Sequence, residues 1–121
     1  MVLIDVNPLV YAYRPDAPQH HDYLNWLKVL VNQDAAFGLA NIACSGFMRI
    51  TTHPKIFAPP SSVEDALEYI DDIRAQANCV IISPGNRHWQ IFSHLCRVVG
   101  AKGNTVPDAY LAALAIESGS T

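Results

Sequence analysis

The chain has 121 residues, a formal net charge of −3, half of its residues hydrophobic and only 16% charged. That length supports one domain with a real core, and the acidic balance means that any nucleic-acid contact must come from a local basic patch and not from the overall field. No apolar run approaches the roughly 18 residues that a membrane-spanning helix needs. Asp5 interrupts the first apolar run, so no secretory leader is expected, and three cysteines without a CxxC spacing read as reduced core thiols of a cytoplasmic protein.

Val2-Leu3-Ile4 is an apolar run that reads as a short strand buried on both faces, with Asp5 at its end. In open α/β sheets the carboxyl ends of the strands open into the ligand crevice, which places Asp5 for chemistry. Equally, Asp5 or Asn7 can cap the following helix, whose early Pro8 suits a first turn. Pro15 and Pro18 mark a loop, and a helix is expected from about Gln19 to Val31, with Tyr23, Leu24, Leu27, Leu30 and Val31 on its inner face. His20-His21 has no third ligand at metal spacing and reads as a solvated helix end. Ala35 to Leu39 is a brief second strand. Asn41 is expected to cap a helix running to about Thr51, and Gly46 within it costs about 1 kcal/mol against alanine, so it wants an explanation.

Pro54, Pro59 and Pro60 then break the chain. Ser61-Ser62-Val63-Glu64 reads as a capping box for a helix that buries Val63, Ala66, Leu67, Ile70 and Ile73. Cys79 to Ile82 is the third strand, and Ser83-Pro84 is expected to open the next helix. Its inner stripe is His88, Ile91, Phe92, Leu95 and Val98 or Val99, with His88 as a hydrogen-bonded core histidine and Gly100 as the stop. The order βαβααβαα fits an α/β fold of three layers around a sheet.

Lys102 to Asp108 leads into a helix over Ala109 to Glu117. Asp108 suits a first turn electrostatically, but steps of three and four from it reach Leu111, Ala112 and Ala115, which puts the carboxylate on the apolar stripe. A charged oxygen there must be paired, hydrogen-bonded or bound to a cation. Two carboxylates converging on a polar crevice are what a hard divalent ion such as Mg²⁺ requires. An ion so held lowers the pKa of water and neutralises charge on a phosphodiester. Metal-dependent phosphodiester hydrolysis is therefore the candidate chemistry, with Asp5 and Asp108 as its residues.

Three blocks carry a family resemblance: Leu3 to Ala12, Phe47-Met48-Arg49-Ile50-Thr51-Thr52-His53-Pro54, and Gly103 to Ala115 with its Val106-Pro107-Asp108-Ala109 centre. On them the chain resembles the PIN-domain ribonucleases, specifically the VapC toxins of bacterial toxin–antitoxin pairs. The resemblance implies one PIN-like domain over residues 1–121 with a parallel sheet, and a cytoplasmic endoribonuclease using Mg²⁺ or Mn²⁺. It further implies restraint by a VapB-type antitoxin and a homodimer. It carries Asp5 and Asp108 over as catalytic metal ligands, and Arg49 as a contact to RNA phosphate. Gly46 stands where many relatives have a glutamate, and the family continues past Thr121 into a further strand with another acid. A C-terminally incomplete domain, its last strands missing, is the expectation. The alternative function is a degenerate PIN domain that binds antitoxin without cutting RNA. By the same resemblance the first strand should be a bare sheet edge, and Leu111, Leu114, Ala115 and Ile116 should lose the sheet beneath them, which favours association.

Overall fold

In the computed structural model, which describes residues 1–121, three short strands are each followed by two helices. They are β1 (Val2–Leu3), α1 (Val6–Tyr13), α2 (His20–Asn32), β2 (Phe37–Leu39), α3 (Asn41–Thr51), α4 (Val63–Arg74), β3 (Cys79–Ile81), α5 (His88–Val99) and α6 (Thr105–Ser118). The order is thus βααβααβαα, one helix more than the pattern predicts. The added helix is α1: Asp5 starts it by accepting the Val6 N–H at 2.6 Å. Pro15 then holds Arg14 extended (φ −88°, ψ 114°) and stops it.

The strands form one parallel sheet in the order β1-β2-β3, with Val2 opposite Phe37 and Gly38 opposite Val80. Side chains alternate across a strand, and the two hydrophobic clusters obey that alternation. Ile4, Phe37 and Leu39 belong to the larger core with α1, α2, α3 and α4. Leu3 and Ala40 belong to a smaller one with Leu114 of α6, flanked by Ile82 and Tyr110. Gly38 falls on that second face, where an added Cβ would lie 3.1 Å from Ile82 and 3.2 Å from Leu3. The sheet therefore lies between two helical layers, α1 to α4 on one side and α6, backed by α5, on the other.

Several local expectations are corrected by longer-range contacts. Ser62, not Ser61, caps α4, accepting the Asp65 N–H at 3.1 Å. Ser61 is taken up by the Arg14 guanidinium, which also reaches Asp16 and the Pro59 carbonyl and sits over the Phe57 ring. Ala66, Ile70 and Ile73 are buried on α4, while Val63 and Leu67 are exposed. Asn41 is the first residue of α3 and not its cap, and its side-chain oxygen accepts from Arg74. The α5 helix begins at His88 and not at Ser83-Pro84, because the Gly85 and Arg87 N–H groups donate to the Glu117 carboxylate at 2.7 and 2.9 Å. Those bonds hold Glu117 below the usual carboxylate range. Gly100 ends α5 in the left-handed region, as expected.

His88 is buried and donates from Nε2 to the Tyr110 carbonyl at 3.0 Å, as read from its stripe. Val98 and Val99 of that same stripe are exposed. His20 donates from Nδ1 to the Tyr11 carbonyl at 2.8 Å and so ties α2 to α1. The outer side of β1 is not bare at Val2, since the Leu3 N–H donates to the Thr121 carbonyl and the Thr121 N–H to that of Met1. Nor is α6 stripped: Leu114 is fully buried, Leu111 and Ala115 are half-buried, and Ile116 alone of the four is exposed.

Candidate active site

The backbone turns from β1 into α1 at Asp5, beyond the carboxyl end of the strand. There α1, α3 and α6 enclose an open crevice of about 500 Å³. Asp5 and Asn7 come from the start of α1, Ser45, Gly46 and Arg49 from α3, and Asn104 and Asp108 from the start of α6. The apolar floor includes Ile42, Ile50 and Leu111. All three residues expected at the site, Asp5, Arg49 and Asp108, thus line one cavity. The crevice occupies the strand-end position that open α/β sheets offer to ligands.

Of the two roles weighed for it, Asp5 fills the capping one and still lines the crevice. Its Oδ1 caps α1, which leaves Oδ2 directed to no protein donor. Asp108 does not lie on the buried stripe of α6, which runs through Ala109, Ala113 and Leu114. The true stripe is rotated by one residue, and Asp108 and Leu111 border it on the crevice side. Asp108 is exposed and makes no side-chain hydrogen bond, and the ion pair in the molecule is Arg14–Asp16, remote from the crevice. Neither carboxylate is therefore neutralised by the protein. Two free, hard oxygen donors beside polar Asn7, Ser45 and Asn104 suit a divalent cation that keeps several water or phosphate oxygens. No histidine, cysteine or third carboxylate joins them.

Gly46 has a packing reason. A Cβ at that position would lie 2.8 Å from Val6 Cγ2, so glycine lets α3 close against the start of α1. Arg49 stands one turn further along α3, exposed and without an ion-pair partner, and is the one cation of the crevice lining. Sequence reasoning did not single out Ser45 or Asn104 for the site. Ser45 lies one turn before Arg49, and Asn104 lies four residues before Asp108. Helical spacing from those two residues was the signal that could have found them.

No protein-family profile matches the sequence. Among curated proteins, ribonuclease VapC43 of Mycobacterium tuberculosis is 40% identical over 121 residues, covering 100% of this chain and 82% of that protein. Ribonuclease VapC25 of the same species is 38% identical over 117 residues, covering 97% and 82%. In structure, a chain from the VapBC2 complex of Rickettsia felis, solved with a DNA fragment from its promoter, matches with a TM-score of 0.64 at 17% identity. The match covers 99% of this chain and 84% of that one, and it supports the PIN-like fold. With 38 to 40% identity to these curated ribonucleases spread over nearly the full length of the chain, the protein belongs to the VapC family of ribonucleases.

Proposed function

We propose that the protein is a Mg²⁺- or Mn²⁺-dependent endoribonuclease, the toxin of a toxin–antitoxin pair, held in check by a VapB-type antitoxin and acting in the cytoplasm. The observation that supports this most is the meeting of two un-neutralised carboxylates, Asp5 and Asp108, with the free guanidinium of Arg49 in one strand-end crevice. Relatives named as ribonucleases point to RNA as the substrate. A bound divalent ion would supply Lewis-acid activation of water and charge neutralisation on the scissile phosphodiester.

The chain's own residues do the rest. The Val6 N–H holds Asp5 Oδ1, which fixes the carboxylate and leaves Oδ2 as the oxygen that would meet the ion. Asp108 presents its carboxylate from the first turn of α6. Arg49 gives a phosphate oxygen a charge-assisted donor and draws the RNA backbone toward the two acids. Association into a homodimer is part of the proposal, supported by the exposed apolar side chains of Trp89, Val98 and Val99 along α5.

Asp108→Asn tests the core of it. The variant should fold as the parent does, because Asp108 makes no hydrogen bond, yet lose both Mn²⁺ binding in calorimetry and cation-dependent RNA cleavage. Parent-like Mn²⁺ affinity in that variant would refute the assignment. The second reading, an antitoxin-binding module that does not cut, is favoured by one observation: the position where a third acid is expected is Gly46, closed off by Val6. A titration of Mn²⁺ into protein and RNA separates the two, since the module binds antitoxin and shows no turnover at any cation concentration.

A further inference from the structure

Asn104 stands at the N-cap of α6, a position where asparagine ordinarily accepts a backbone N–H of the first turn. Here it does not. Its backbone is α-helical (φ −68°, ψ −15°) rather than extended, and its side chain makes no capping bond. The local turn is closed instead by Thr105, whose hydroxyl accepts from the Lys102 N–H at 2.8 Å and donates to the Lys102 carbonyl at 2.9 Å. The Asn104 carboxamide is thus exposed, without a protein partner, and lines the crevice one turn upstream of Asp108.

Its chemistry differs from that of its neighbours. The two carboxylates accept only, and Arg49 donates only, so between them they meet an ion and a phosphate. A carboxamide carries a donor and an acceptor side by side; a phosphate can use only the donor, whereas a base edge can use both. Sequence-specific recognition of RNA works on unpaired bases whose edges are open to such groups. On the ribonuclease reading above, we infer that Asn104 determines specificity by pairing its carboxamide with the edge of an unstacked base next to the scissile phosphate. The matching partner is adenine, whose N6 amino group donates and whose N7 accepts.

The test is binding of single-stranded RNA oligonucleotides with one variable position, measured with EDTA present so that cleavage plays no part. The parent should favour adenine at one position by about tenfold, the order expected of one bidentate pair. Asn104→Ala should level the four affinities while the melting temperature stays unchanged. Asn104→Asp, an acceptor only, should move the preference toward cytosine and its N4 amino group. Equal binding of all four bases by the parent would overturn the inference, as would a uniform loss across bases in Asn104→Ala. These outcomes do not depend on turnover. A parent that discriminates but never cuts with Mn²⁺ present would sink the ribonuclease reading and leave base recognition standing.

Discussion

Asp5 caps α1 with one oxygen and leaves the other for the proposed ion, and substitutions can pull the two roles apart. Asp5→Asn keeps an oxygen for the Val6 N–H and removes the charge, so Mn²⁺ affinity should vanish at a stability cost of only a few tenths of a kcal/mol. Asp5→Ala removes the cap as well and should cost about 0.5 to 2 kcal/mol. Paired calorimetry and urea denaturation check both. Equal stability of the two variants would show that the 2.6 Å capping bond contributes nothing. Tyr69 presents the opposite situation. Its ring packs against Tyr13 and Phe47, but its hydroxyl is buried without a hydrogen-bond partner, and burial pushes the phenol up to about 12. An unmet buried hydroxyl costs about 1 to 3 kcal/mol in desolvation. Tyr69→Phe should therefore leave stability unchanged or raise it by about 1 kcal/mol, and a clear loss in urea denaturation would reveal a partner for the hydroxyl.

Between elements, the contact that sets the crevice's shape is α3 on the start of α1, and Gly46 is its pivot. Alanine there gains about 1 kcal/mol of helix propensity, but its Cβ would stand 2.8 Å from a Val6 methyl, and overpacking of that kind costs about 1 to 3 kcal/mol. Gly46→Ala should thus be neutral to destabilising alone and stabilising in a Val6→Ala background. A double-mutant cycle that came out additive would remove Val6 as the cause. The same contact bears on the third acid: Gly46→Glu should strengthen Mn²⁺ binding only once Val6 is trimmed. Much of this architecture could be read beforehand, because apolar runs ending in Asp5, proline breaks and three- and four-residue periodicity are local signals. What could not be read depended on partners far along the chain. Glu117 holds the segment before α5 from 30 residues away, Arg14 takes Ser61 out of the α4 cap, and the α3 contact explains Gly46. The inner stripe of α6 is not legible from sequence, because alanines at 109, 112, 113 and 115 give the helix no strong apolar bias and only the sheet beneath decides which of them is inner.

For the molecule as a whole, the two faces of the sheet are unequal, and the crevice spans that difference. Fourteen buried residues unite α1 to α4 with β2 and with Ile4 just past β1, whereas three, Leu3, Ala40 and Leu114, hold α6 to the other face. The α5 helix packs mainly on α6 and leaves Trp89, Val98 and Val99 exposed. Regions with few buried apolar contacts open at lower free energy than the global transition, so the α5–α6 pair should open first. Asp5 stands at the start of α1, on the side of the large core, and Asp108 stands on α6 of this pair. A divalent ion held by both would tie the weak half to the strong one, and opening would release it. At a free concentration of 100 times Kd such an ion stabilises the closed form by about 2.7 kcal/mol, roughly a hundredfold in the opening equilibrium. Hydrogen exchange read by mass spectrometry should show α5 and α6 amides exchanging before those of α1 and α3. Mn²⁺ should slow the α5–α6 amides by up to about that factor and leave the core amides little changed. In Asp108→Asn the unliganded pattern should persist and the Mn²⁺ effect disappear. Uniform protection of every helix by the ion, or none at α6, would show that Asp5 and Asp108 do not share it.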